Sequence, residues 1–87
     1  MTELTEHKIK RLYMRSIRRG IKEMDLILTA FADARLAGMD DASLDLYDGL
    51  LNENDHDLYQ WVTGQVPAPE HLTQMIEDIR ALYEPLA

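Results

Sequence analysis

Apolar residues in this chain recur every three or four positions, and no stretch of useful length alternates apolar and polar residues. The first spacing places side chains on one face of an α-helix, whereas alternation is typical of a half-buried β-strand. The apolar positions form five stripes: Ile9, Leu12, Tyr13 and Ser16 or Ile17; Met24, Ile27, Leu28 and Phe31; Leu44, Tyr47, Leu50 and Leu51; Leu58, Trp61 and Val62; Leu72, Met75, Ile76, Ile79, Leu82 and Tyr83. Short helices with brief connectors predict an all-α fold, a small five-helix bundle.

Capping and turn residues indicate where these helices begin and end. Asp40 or Asp41 is suited to accept hydrogen bonds from the free N–H groups that open the third helix. Asn54 gives the fourth helix a capping-box-like start, because an acid follows three residues later. Gly38 is expected to end the second helix in a left-handed conformation, and Gly64 to stop the fourth.

The length of 87 residues suits one domain, so we expect residues 1–87 to form a single helical domain with flexible ends at 1–6 and 84–87. The chain has no cysteine, which excludes disulfides and thiolate metal sites. Its first ten residues are mostly polar and hold no apolar run, and no apolar segment approaches the roughly 20 residues needed to cross a bilayer. These features predict a soluble, cytoplasmic protein without membrane insertion.

Charge is unevenly distributed along the chain. Seven of the nine basic residues lie between residues 8 and 22, a stretch without an acid, although the net charge is −7. Such polarity can orient a molecule as it meets a charged partner, but like charges also commonly share a solvated helix face. The basic helix leaves a small nucleic-acid-associated regulator as an alternative function. The acidic balance of the later helices argues against nucleic acid as a partner, because phosphate binding usually accompanies a basic domain.

Residues suited to catalysis or metal binding do not form a recognisable set. The histidines are scattered, and no two of them stand four apart with a glutamate between them. Glu53, Asp55 and Asp57 alternate as in a calcium loop, but the glycine and the late glutamate of such a loop are missing. The chain also lacks a phosphate-binding loop and a dinucleotide fingerprint. We therefore expect a non-catalytic protein with no catalytic, metal-binding or cofactor-binding residues.

The segment Arg19-Gly20-Ile21-Lys22-Glu23 stands at the junction between the basic stretch and the second apolar stripe. In a continuous helix, Arg19 and Glu23 would lie on one face, one turn apart, with bare backbone beside them at Gly20. A partner protein would then approach the backbone closely while meeting a guanidinium and a carboxylate. The plainer interpretation is a helix boundary at Gly20 with an ordinary exposed ion pair, worth less than about 1 kcal/mol.

This segment, extended to residues 18–25 and followed by Leu28 and Phe31, resembles the RGxxE signature of the flavinylation factors of succinate dehydrogenase. The later block Asp55-x-Asp57-Leu58-x-x-Trp61-x-x-Gly64 is similar to the same family of FAD assembly factors. The resemblance runs from about residue 10 to residue 83. Ile21 and Met24 differ from the methionine and leucine associated with those positions, and both changes are apolar.

The resemblance implies a five-helix fold and a role as an assembly chaperone. Its client would be the flavoprotein subunit of succinate dehydrogenase, often also that of fumarate reductase, and it would promote covalent attachment of FAD to a client histidine. FAD would be bound by the client, so this chain would need no cofactor of its own. Carried over by position, the interaction residues are Arg19, Gly20 and Glu23, with Lys22 and the basic helix steering the client into place.

Overall fold

The computed structural model describes residues 4–83, and within this range every regular element is helical. The α-helices are α1 (Thr5–Ser16), α2 (Lys22–Arg35), α3 (Asp41–Leu50), α4 (Asp55–Val62) and α5 (Thr73–Tyr83). Short 3₁₀ turns follow α2 at Leu36–Gly38 and precede α5 at Glu70–Leu72. None of the helices in this range has the length and apolarity required to span a bilayer. The predicted all-α, five-helix architecture is confirmed.

The first helix begins earlier than the sequence indicated. Thr5 and Glu6, which were expected to belong to a flexible segment at 1–6, are the first two residues of α1. Contacts in this first turn explain the difference: the backbone N–H of Lys8 donates to the Leu4 carbonyl at 2.9 Å, and its ammonium lies 3.1 Å from an Asp41 oxygen. Residues 1–3, and the segment 84–87 that was also expected to be flexible, lie outside the described residues.

The apolar stripes meet in one core, in which α2 contacts α1, α4 and α5 while α1 also packs on α3. Side chains from the first four helices are completely buried: Leu12, Met24, Leu28, Phe31, Leu44, Tyr47, Leu50, Leu58 and Val62. Helix α5 adds Met75, Ile76 and Ile79, which are at most 5% exposed. Burying one such side chain stabilises a fold by roughly 1.5–3 kcal/mol, so the shared core holds the helices together.

A polar contact inside the core joins the end of α1 to α3. Ser16 Oγ donates to the Leu12 carbonyl at 2.8 Å and lies 2.6 Å from the Tyr47 hydroxyl. Burial raises the pKa of Tyr47 to about 12, which keeps this hydroxyl protonated and able to donate to Ser16. The Tyr47 ring also packs against Phe31, with ring centroids 5.4 Å apart.

Side chains cap the N-termini of α3 and α4, as the sequence predicted. An Asp40 carboxylate oxygen accepts a hydrogen bond from the Ser43 N–H at 2.8 Å. The Asn54 side chain accepts from the His56 N–H, also at 2.8 Å. Each bond satisfies a donor that the helix itself leaves unpaired.

The two predicted glycine stops behave differently. Gly64 follows α4 and has a φ of 81°, a left-handed conformation that glycine adopts at little cost. The prediction for Gly38 is wrong, because this residue ends a 3₁₀ turn and its φ is not positive. The chain tightens there instead of reversing, and the Met39 N–H donates to the Leu36 carbonyl at 3.2 Å.

Candidate partner-docking surface

A non-helical turn at residues 17–21 separates α1 from α2 and contains the first half of the predicted site. Helix α1 ends at Ser16, Ile17 is extended with φ −98° and ψ 163°, and Arg18 has a φ of 58°. A left-handed conformation costs a residue with a side chain roughly 1–2 kcal/mol. The Arg18 N–H offsets part of this cost by donating to Asp25 Oδ1 at 2.7 Å. The helix boundary therefore precedes Gly20, so Arg19 and Glu23 do not share the face that a continuous helix would give them. The plainer interpretation, a helix boundary at this segment, agrees with the structure, but Arg19 pairs with Asp55 and not with Glu23.

Arg19 turns inward and binds the first residue of α4. Its Nε donates to Asp55 Oδ1 at 2.8 Å, and its Nη2 lies 2.8 Å from the same oxygen. The guanidinium also donates to the Arg15 carbonyl at 3.2 Å and to the Glu53 carbonyl at 3.4 Å. The side chains of Arg19 and Asp55 are only 12% and 16% exposed, so solvent screens this pair weakly. Arg19 is therefore placed to hold the turn against α4.

Gly20 lies against the same carboxylate. Its N–H donates to Asp55 Oδ2 at 2.7 Å, so the two oxygens of Asp55 bind consecutive residues of the turn. A Cβ at Gly20 would lie 3.1 Å from Oδ2, and the carboxylate would have to move by a few tenths of an ångström. Gly20 is otherwise exposed. The bare backbone expected from the sequence is present, and its inner side is occupied by Asp55.

Lys22 and Glu23 open α2, and both are exposed. Neither side chain forms an ion pair with any residue in the described range 4–83. The Glu23 carboxylate is in the first turn of α2, where the positive end of the helix dipole favours a negative charge. Of the predicted partner-binding residues, Gly20, Lys22 and Glu23 are thus open to a partner, and Arg19 lies beneath them.

A groove of about 190 Å³ between α2 and α5 lies next to Glu23. Its lining residues are Glu23, Leu26, Ile27, Ala30, Leu82 and Tyr83. Leu26 is 64% exposed, and Leu82 and Tyr83 are 38% and 40% exposed. The charge of Tyr83 raises the pKa of Tyr59 of α4 most strongly, and the charge of Glu23 adds a smaller effect in the same direction. The sequence alone did not predict this groove. The sequence feature that hinted at it is Leu26, an apolar residue that lies outside the buried stripe of α2.

The basic helix α1 lies against acidic side chains of α3. The ion pairs and the neighbouring amide contact are Lys8 with Asp41 (3.1 Å) and Asp45, Arg11 with Asp48 (3.1 Å), Arg15 with Asp48, and Arg15 with Asn52 (2.6 Å). The hydrogen bond to Asp45 raises the pKa of Lys8, whose side chain is only 9% exposed. A hydrogen bond from Arg11 lowers the pKa of Asp48. Helix α1 is therefore not a simple solvated basic face, because much of its charge is neutralised by α3.

The acids that resemble a calcium loop have other partners. Both oxygens of Asp55 bind the turn at Arg19 and Gly20, and Asp57 lies in the exposed first turn of α4. Within residues 4–83, no group of three or more histidine, cysteine, aspartate or glutamate side chains is arranged to hold a metal ion.

A larger cavity, of about 360 Å³, lies between α4 and α5 beside the predicted tryptophan-containing block. Trp61, Gly64, Pro67 and Arg80 are among the residues that line it. A Cβ at Gly64 would lie only 2.8 Å from Nη2 of Arg80, so glycine leaves room for the guanidinium as well as permitting the positive φ. This block therefore helps to pack the end of α4 against α5.

Comparisons with known proteins agree on one family. A family model described as flavinator of succinate dehydrogenase, Sdh5, matches residues 10–83. The relatives include "succinate dehydrogenase assembly factor 2, mitochondrial" of Candida glabrata, which is 45% identical over 73 residues, covering 80% of this chain and 48% of the relative. The protein of the same name from Mycosarcoma maydis is 43% identical over 68 residues, covering 78% of this chain and 29% of the relative.

The Saccharomyces cerevisiae protein of this name is 46% identical over 61 residues, covering 70% of this chain and 38% of the relative. The chain thus spans less than half the length of these relatives. The expectation of a cytoplasmic protein is wrong by this comparison, because the relatives are named as mitochondrial proteins, which points to mitochondria instead.

Proposed function

Because this chain belongs to the Sdh5 family, the flavinators of succinate dehydrogenase, we propose that it is an assembly factor that binds the flavoprotein subunit of that enzyme and promotes covalent attachment of FAD. The family match over residues 10–83 is the observation that carries this proposal. Fumarate reductase, which the sequence resemblance also suggested as a client, stays a prediction.

The chain would act as a helper without catalysing the attachment itself. Covalent flavinylation requires a client histidine to be held against the flavin, and the flavin supplies the electron-accepting chemistry of the reaction. Holding two reacting groups in the correct geometry can by itself accelerate a reaction greatly. A small rigid bundle that docks on a mobile client would supply this kind of help.

The docking surface would consist of Gly20, Lys22 and Glu23, held in place by Arg19. Gly20 would allow the client backbone to approach closely, while the Lys22 ammonium and the Glu23 carboxylate would make charge-assisted hydrogen bonds to it. Arg19 contributes indirectly, since its guanidinium is bound to Asp55 and to two backbone carbonyls. Exposure and the lack of ion pairs at Lys22 and Glu23 within residues 4–83 support this assignment.

The alternative of a nucleic-acid-associated regulator gains no support from the structure. Such a protein would present the cations of α1 to phosphates. Instead, Lys8, Arg11 and Arg15 bind acids of α3, and Arg19 binds Asp55. A phosphate backbone would have to compete with these carboxylates.

The proposal is tested in cells in which a variant is the only copy of this protein. We expect Gly20→Arg and Glu23→Ala each to reduce the covalent flavin fluorescence of the client in a denaturing gel, because each alters the exposed surface. Glu70→Ala is the control, since Glu70 is also an exposed acid but lies in the 3₁₀ turn before α5, outside both the α1–α2 turn and the groove that Glu23 lines. Normal client flavinylation with both surface variants would refute the site, and normal flavinylation in cells without the protein would refute the function.

A further inference from the structure

We infer that the groove between α2 and α5 takes an apolar side chain of the client flavoprotein that has a lysine or arginine beside it. This inference rests on the proposed function and adds the chemistry of the client segment that is recognised. The groove shares Glu23 with the proposed docking surface, so one client segment can contact both.

The size of the groove selects a side chain rather than a cofactor. Its volume of about 190 Å³ lies below the roughly 300–1,000 Å³ typical of small-molecule sites. Ile27, which is 6% exposed, belongs to the buried core, whereas Leu26, Leu82 and Tyr83 are open to solvent around the groove. The groove is therefore too small for a flavin or a nucleotide but suits a large aliphatic or aromatic side chain.

The grouping of exposed apolar residues indicates that a partner covers them. Single exposed apolar side chains are normal on protein surfaces. Here Leu26 of α2 is brought together with Leu82 and Tyr83 of α5 around one cavity. Clustered apolar surface with a polar edge is typical of a protein-binding site.

The charge at the groove selects a basic neighbour for that side chain. Glu23 precedes Leu26 by about one helical turn, and Asp33 follows Ala30 by the same step, so acids flank the apolar surface of α2 at both ends. Neither acid forms an ion pair within the described part of the chain. A second copy of this chain is disfavoured as the occupant, because a two-fold contact would bring these acids together between molecules of net charge −7.

The first test compares Leu26→Ser with Met14→Ser in binding to the purified flavoprotein subunit that has not yet received covalent FAD. Both residues are more than half exposed, at 64% and 54%, but Met14 lies on α1 away from the groove. We expect Leu26→Ser to raise the Kd roughly tenfold through lost apolar burial, and Met14→Ser to leave it unchanged. Glu23→Gln should also weaken binding, and its effect should shrink as salt is added.

A second test identifies the client segment directly. A photo-cross-linking amino acid in place of Leu26 should attach to a client segment that contains a large apolar residue within one helical turn of a lysine or arginine. Attachment to a segment without a basic residue would overturn the inference.

The outcomes separate this inference from the proposed function. If Gly20→Arg abolishes client binding while Leu26→Ser binds as tightly as the unchanged chain, the function stands and the groove assignment is wrong. If the unchanged chain does not bind the flavoprotein, both are wrong. Sedimentation of the chain alone tests the remaining occupant, since a dimer that is lost in Leu26→Ser would assign the groove to a second copy and overturn the inference.

Discussion

At the scale of single residues, Asp55 determines the geometry of the turn between α1 and α2. Its carboxylate binds the Arg19 guanidinium through one oxygen and the Gly20 N–H through the other. The sequence pointed to Arg19 and Gly20 but gave them an external partner, because nothing in a local spacing reveals a contact between residues 36 positions apart. The conformation of the turn could not be predicted from the sequence either, since the positive φ falls on Arg18 and not on the nearby Gly20.

We predict that Asp55→Asn lowers the free energy of unfolding by about 1–3 kcal/mol, because it removes the negative charge that two donors of the turn share. Asp57→Asn is the matched control on the same helix turn and should change stability by less than about 1 kcal/mol, the effect of a helix dipole. Urea unfolding followed by circular dichroism measures both. Equal midpoints for the two variants would mean that Asp55 does not hold the turn.

At the scale of elements, the existence of the helices could be predicted from the sequence, but which helices pack against each other could not. Each apolar stripe has the helical period, so the existence of five helices followed from local spacing alone. Asp45 and Asp48 lie outside the apolar stripe of α3. The sequence did not indicate that α1 packs along α3, where basic residues of one helix meet acids of the other at successive turns. As a result, basic residues that appear free in the sequence form intramolecular ion pairs in the fold.

The α1–α3 contacts should make stability depend on pH through Asp48. Its pKa is lowered in the folded chain, first by the hydrogen bond from Arg11, so its contribution is present above the ordinary value of 3.8 and is lost as pH falls through the lowered value. We predict that Asp48→Asn costs about 1–2 kcal/mol at neutral pH and that this difference disappears in acid.

Urea unfolding at a series of pH values checks this prediction. Asp33→Asn is the control, because Asp33 is exposed and forms no ion pair with residues 4–83. It should stay within about 0.5 kcal/mol of the unchanged chain at every pH. A difference for Asp48→Asn that persists below pH 3.8 without shrinking would show that its charge is not the cause.

At the scale of the whole molecule, much of the positive charge that is concentrated near the start of the sequence is neutralised in the fold, because basic residues of α1 and of the turn after it form ion pairs with acids of α3 and α4. The groove between α2 and α5 could not be predicted from the sequence, because it joins Leu26 to residues near the end of the described chain.

Lys10 and Lys22 are exposed and form no ion pair within the described range, so they are the lysines of the basic stretch left for an external partner. Substituting each lysine in turn distinguishes two explanations of client binding. Either the overall electrostatic field of the molecule attracts the client, or the client docks at the α1–α2 turn.

We predict that Lys22→Gln slows association with the client flavoprotein at low salt, whereas Lys10→Gln has little effect. Both substitutions change the net charge of −7 by the same amount, so only the position of the lysine differs. Charges at the edge of an interface act mainly on the association rate. The effect of Lys22→Gln should fade as the Debye length shortens from about 30 Å at 0.01 M salt to about 8 Å at 0.15 M. Stopped-flow or biosensor kinetics measure the rate, and equal slowing by both variants would mean that the general field, and not the turn, attracts the client.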